Sequence, residues 1–189
     1  MTVKEVIKLT ALMVGEDEAV SYLQDEAVND LTYAKKVTNI LLRCYNLIVE
    51  ELACEYFPLK KSEKISQVIN GKIYFKDLEY SPIKIVGVYD ENYQKVPYKL
   101  INDYISINKP CVIVEYNYRV KPLKEGDEAV YANEIIGPYV LAYGMASQYC
   151  LEKGRLNESE IFQQKYIAGI KGRASEKGSL QLPQRRWII

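Results

Sequence analysis

The sequence predicts an α+β protein: a helical bundle with an inserted small antiparallel β-domain and an extended C-terminal tail. Three observations predict it. Apolar residues recur at spacings of three and four in the first 57 residues, and again from Ile135 to Ile170. Between Ser66 and Tyr118 the period falls to two, and turn-forming residues separate the runs. Past Gly172 neither period holds, and Gly, Ser and Pro predict an end to helix. The expected divisions are residues 1–60 and 125–172 for the two parts of the bundle, 61–124 for the β insertion and 173–189 for the tail. Neither helical group buries enough apolar surface alone, so the two are expected to pack together.

The first helix carries Val3, Val6, Ile7, Thr10 and Ala11 and ends at Gly15, with Thr2 and Glu5 spaced as a capping box. Glu16, Asp17 and Glu18 are expected to open the next helix, where negative charge suits exposed N–H groups. That helix would carry Ala19, Val20, Leu23 and Ala27. A long core helix from about Asn29 is closed by Pro58. Asn70-Gly71 is a strong turn signal before the strand at 72–75, and further strands are expected at 83–89, 96–101, 104–107 and 111–118. These five form a meander or small sandwich, with Pro97 marking an edge or a strand start. The returning helix has either a start near Gly137, where Pro138 suits the first turn, or an earlier start with a kink; Asp127 and Asn133 are candidate caps. Ala142, Gly144 and Ala146 keep part of its surface small, and Gly154 stops it. Asn157 with Glu160 reads as the capped start of the last helix, running to about Ile170.

Composition bounds the function. Apolar residues at 48% with 26% charged fit a folded chain, and zero formal net charge gives no bulk argument for nucleic acid or membrane. Charge is nevertheless unevenly spread. Residues 1–57 hold 5 basic and 10 acidic side chains, and residues 161–189 hold 6 and 1. Opposite faces of neighbouring copies are therefore expected to meet head to tail. Cys44, Cys54, Cys111 and Cys150 show no paired spacing, which predicts free thiols in a reducing compartment. Charged residues at Lys4, Glu5 and Lys8 break any signal-peptide pattern, and no run is long enough for a membrane span.

Catalytic signals are sparse. The chain has no histidine, which removes the commonest general base and metal ligand. No Gly-rich phosphate loop occurs, and neighbouring carboxylates such as Glu50-Glu51 and Asp127-Glu128 read as solvated charge. The expectation is a non-enzyme without cofactor or metal. Two alternatives stay open: a small carboxylate-dependent phage enzyme, and a DNA-binding accessory protein using Arg173, Lys177, Arg185, Arg186 and Trp187. The apolar, arginine-flanked stretch at 180–189 is expected to lie against another copy or a partner protein.

The chain resembles the head–tail connector (adaptor) proteins of tailed bacteriophages, those with a β insertion in a helical bundle. The residues that carry the resemblance are the runs 71–75 and 82–89, the helical runs 139–151 and 158–172, and Leu182-Pro183-Gln184-Arg185-Arg186-Trp187. The resemblance implies a structural virion protein in the neck, assembled from the host cytoplasm as a ring of about twelve copies. Its partners would be the portal protein, stopper or tail proteins, and genomic DNA passing through the lumen without sequence-specific binding. It implies docking to the portal through Leu180, Leu182, Arg185, Arg186, Trp187, Ile188 and Ile189.

Overall fold

A computed structural model of the chain describes residues 1–132 and 136–176. It is an α+β protein with five α-helices and six strands among those residues. Two compact units divide the chain: Met1–Val49 with Pro122–Ile189, and Glu50–Lys121.

The first unit is helical. Helix α1 (Val3–Val14) opens with the expected capping box: the Glu5 N–H donates to Thr2 Oγ1 at 3.3 Å, and the Thr2 N–H donates to Glu5 Oε2 at 2.7 Å. Gly15, at φ +74°, ends it in the left-handed conformation that glycine adopts without penalty. Helix α2 (Asp17–Leu23) stops at Leu23, short of the expected Ala27. Asp25 lies at φ +60°, outside helical geometry, so the apolar period simply runs out there. Helix α3 (Leu31–Glu51) buries Ala34, Val37, Leu41, Cys44, Tyr45 and Ile48 along one stripe. A π-helical turn, Leu52–Tyr56, continues it towards Pro58.

The returning segment fastens onto α1 and α3 before any new helix begins. The Val3 N–H donates to the Asp127 carbonyl at 3.0 Å, and the Tyr45 hydroxyl to the Val130 carbonyl at 3.1 Å. Asn46 brackets Leu123, donating to its carbonyl at 3.1 Å and accepting from its N–H at 2.8 Å. Helix α4 (Pro138–Glu152) has Gly137 as N-cap and Pro138 in its first turn, which resolves the alternative left by the sequence. Asp127 lies upstream of that boundary, and Asn133 is outside the described residues. Helix α5 (Leu156–Glu176) differs from expectation at both ends. It begins before Asn157, because the Arg155 carbonyl already accepts from the Ser159 N–H at 3.0 Å. It also runs past Ile170 to Glu176, and it holds two glycines, Gly169 and Gly172. Close packing accounts for one of them: a Cβ on Gly169 would stand 2.6 Å from Val140 Cγ2. Gly144 plays the same part on α4, since a Cβ there would meet Ile48 Cδ1 and the Tyr166 ring at 3.0 Å.

The second unit holds two three-stranded antiparallel sheets, ordered β1-β6-β3 and β2-β5-β4. The strands are β1 (Lys60–Ile65), β2 (Lys72–Tyr74), β3 (Pro82–Tyr89), β4 (Tyr98–Ile101), β5 (Tyr104–Ile107) and β6 (Val112–Tyr118). Strand β1 adds a sixth to the five expected. Its sequence, Lys-Lys-Ser-Glu-Lys-Ile, has a single apolar residue and gives no hydrophobic alternation to read. It is nonetheless an edge strand, held by pairing to β6 from Lys60↔Asn117 to Ile65↔Val112. Strand β4 starts just after Pro97 and is also an edge. Ile73, Ile85, Val88, Ile105, Ile107, Val112, Val114 and Tyr116 form the common core of both sheets. The Asn70-Gly71 turn is required by packing, since a Cβ on Gly71 would lie 2.8 Å from the Ile107 carbonyl oxygen.

Candidate functional site

In the helical unit a buried polar cluster is centred on Glu16, and sequence spacing gives no hint of it. Glu16 is only 5% exposed, although it stands in an acidic run. Its side chain makes no cap bond to α2; it turns inward. Glu16 Oε1 accepts from the Tyr149 hydroxyl of α4 at 2.5 Å, and Oε2 accepts from the Tyr33 hydroxyl of α3 at 2.7 Å. The Arg155 guanidinium lies 3.6 Å away and also donates to the Val14 carbonyl at 3.1 Å, closing the end of α1. Lys153 stands over both tyrosine rings, 5.3 Å from that of Tyr149 and 5.8 Å from that of Tyr33. The residues come from the α1–α2 turn, α3, α4 and the start of α5, so a single carboxylate ties four segments together.

The chemistry of this cluster favours holding over turnover. Burial, reinforced by the hydrogen bond to Glu16, pushes the Tyr149 hydroxyl well above the ordinary phenol range. The hydrogen bond to Glu16 does the same for Tyr33. Neither phenol is poised to lose its proton near neutral pH. Burial likewise pushes the nearby Cys150 thiol up, which makes it a packing residue rather than a nucleophile. Among the described residues, no group of three or more Cys, Asp and Glu side chains is placed to hold a metal ion.

Asp17 and Glu18 do stand in the first turn of α2, as an acidic helix start requires. Glu18 serves a second purpose: it accepts from the Asn29 side chain at 2.8 Å and from the Asn29 N–H at 2.9 Å, which holds its carboxyl below the usual range. Asp17, Asp25, Glu26 and Asp30 are exposed, so the acidic N-terminal charge is displayed on the surface.

Beside the cluster, α4 and α5 form an open groove of about 690 Å³. Leu151 and Leu156 line it at 53% and 64% exposed, with Ile167 and Ala168, and the rim is polar with Gln148, Glu160 and Lys171. Two large aliphatic side chains this exposed on one groove constitute an apolar patch with a polar border, the usual composition of an interaction surface. Its floor is rigid. Ser147 Oγ donates to the Ser159 carbonyl at 3.0 Å, and Ser159 Oγ donates to the Ser147 carbonyl at 2.9 Å, so the two helices are pinned together beneath it.

Of the residues that sequence marks for docking, Leu180, Leu182, Arg185, Arg186, Trp187, Ile188 and Ile189 all lie outside the described residues. All four cysteines are free thiols, with Cys44 and Cys150 buried, Cys111 half-buried and Cys54 exposed. No helix among the described residues is long and apolar enough to cross a membrane. No protein-family model matches the chain, and no curated protein matches it.

Proposed function

We propose that the chain is a structural subunit of a ring that joins the portal to the tail in a bacteriophage neck, with no catalytic role. Each subunit supplies a stiff helical unit, and neighbouring copies cover one another's exposed surfaces. The observation that carries this reading is the groove between α4 and α5, where Leu151 and Leu156 are left uncovered on a floor pinned by paired serines. Burying them against a neighbour contributes about 1.5–3 kcal/mol for each side chain before ordering costs. Repetition around a closed ring lets weak individual contacts suffice. The charge distribution supports the same geometry, because an acidic N-terminal face and a basic C-terminal region suit heterologous, head-to-tail contacts.

In this reading the C-terminal residues 180–189 dock to the portal, with Trp187 and the isoleucines as apolar anchors and Arg185 and Arg186 available to carboxylates. Co-sedimentation with purified portal rings tests it. The full chain is expected to co-sediment, and a chain lacking residues 182–189 is expected to stay behind while keeping its helical circular dichroism. Equal co-sedimentation of the two would overturn the docking assignment.

A further inference from the structure

The solvent face of the β2-β5-β4 sheet is not explained by ring assembly, and its composition points to a ligand. Ile73, Ile105 and Ile107 turn into the core, so the alternate residues of β2 and β5 face outward. Register aligns them in two rows across the sheet. One row is Lys72, Ser106 and Lys99; the next is Tyr74, Tyr104 and Ile101. The two tyrosine rings lie together, their centroids 5.5 Å apart. Lys72 Nζ stands 4.9 Å from the Tyr104 ring centre, and Lys76 Nζ stands 5.3 Å from that of Tyr74. Lys72 and Lys99 flank β5 at two strand spacings, about 10 Å apart.

Carboxylate pairing distinguishes these lysines from two of those on β1. Lys61 and Lys64 on β1 are each held by a carboxylate, Glu79 at 2.7 Å and Glu91 at 2.9 Å. Among the described residues, no carboxylate lies within salt-bridge distance of Lys72, Lys76 or Lys99, although Asp77 and Asp103 stand in the turns at the tyrosine end. Three cations without a salt-bridge partner, around two phenol rings tilted 52° to each other, combine a phosphate-attracting field with aromatic faces for bases. That combination suits a flexible strand whose bases can turn onto the rings. A stiff duplex keeps its bases stacked on each other and offers only phosphates. An acidic peptide would use the lysines but leave the tyrosine pair without a planar partner.

We propose that this face binds single-stranded nucleic acid without sequence preference, with Lys72, Lys76 and Lys99 contacting phosphates and Tyr74 and Tyr104 stacking bases. The inference stands apart from the ring assignment, because it uses none of the surfaces invoked there.

Fluorescence anisotropy of the full chain with labelled dT12 and rU12 tests it. Binding is expected for at least one of the two, with the ribose preference reporting whether the strand is DNA or RNA. Raising salt from 50 to 200 mM is expected to weaken it roughly twentyfold, from three phosphate contacts at a slope of about 0.7 each. Tyr74→Leu and Tyr104→Leu, which keep bulk on the sheet, are expected to weaken binding about tenfold each, the loss of one stacked base. The triple change Lys72→Gln, Lys76→Gln, Lys99→Gln is expected to flatten the salt dependence with the far-UV circular dichroism unchanged. Three results would overturn the proposal: no binding of either strand at 50 mM salt; polyglutamate of matched charge displacing the strand as well as unlabelled dT12 does; or Arg185→Gln/Arg186→Gln abolishing binding while the sheet variants leave it intact.

Discussion

Replacing Glu16 is the sharpest test of how the helical unit is held together. Its carboxylate is 5% exposed and accepts two hydroxyl hydrogen bonds, at 2.5 and 2.7 Å. Hydrogen bonds to a charged acceptor contribute about 1.5–3 kcal/mol each, and the two are not equivalent. The Tyr149 ring is fully buried, so its hydroxyl, deprived of Glu16, finds no water; Tyr33 is 39% exposed, and its hydroxyl rehydrates. The Arg155 contact, at 3.6 Å from a side chain itself 39% exposed, adds little after solvent screening. Glu16→Ala is therefore expected to cost about 3–4 kcal/mol, with most of the loss on the Tyr149 side. Glu16→Gln, which keeps one acceptor, should cost about half of that. Urea unfolding followed by helical circular dichroism measures these values, and double-mutant cycles apportion them. Coupling of about 1.5–3 kcal/mol is expected between Glu16 and Tyr149→Phe, and less than about 1 kcal/mol between Glu16 and Tyr33→Phe. A Glu16→Ala protein within about 0.5 kcal/mol of the parent, or equal coupling to both tyrosines, would refute the reasoning.

Other outcomes follow from the same geometry. Gly144→Val is expected to destabilise by about 1–3 kcal/mol, because even a Cβ would press on Ile48 and the Tyr166 ring at 3.0 Å; thermal melting measures it. Leu151→Asp with Leu156→Asp should leave stability within about 0.5 kcal/mol, since both side chains are exposed, while lowering the assembled fraction in sedimentation velocity. With a disulfide-exchange reagent at pH 8, Cys54 is expected to react fast, and Cys44, whose thiol burial pushes up to about 12, only on unfolding. The folded Cys44 value lies above the ordinary thiol value of 9.0, so its contribution is intact below pH 9 and is lost as pH rises towards 12. Burial raises Tyr45, Tyr116 and Tyr149 in the same direction. Melting temperature should therefore fall as pH is raised above about 9, and Cys44→Ala should make that fall shallower.

Local signals were legible where one residue type has one local use. Thr2 with Glu5 set the start of α1, Gly15 its end, and Pro138 the first turn of α4. Buried alternation placed β3, β5 and β6 within a residue of where they lie. What escaped depends on partners distant in sequence. Strand β1 is polar and exists because β6 offers it a ladder, from Lys60↔Asn117 onwards. Glu16 looks like one of three helix-opening acids, and only the arrival of Tyr149, 133 positions later, makes it a buried tie. Gly169 falls inside the expected last helix, but its use depends on a distant partner: it is what lets α5 lie against Val140. The proposed docking stretch rests on composition alone, and it lies outside the described residues. Sequence singled out the C-terminal stretch, and the exposed Leu151 and Leu156 emerged only once α4 and α5 were seen to face each other.

Ring formation is the claim on which the functional reading turns. Electron microscopy of the purified full chain mixed with portal-bearing, tailless capsids tests it directly. The account predicts a closed ring seated on the portal vertex, with density from each subunit reaching its neighbour. Capsids whose vertices stay bare, in a sample where the chain remains a single subunit, would contradict it.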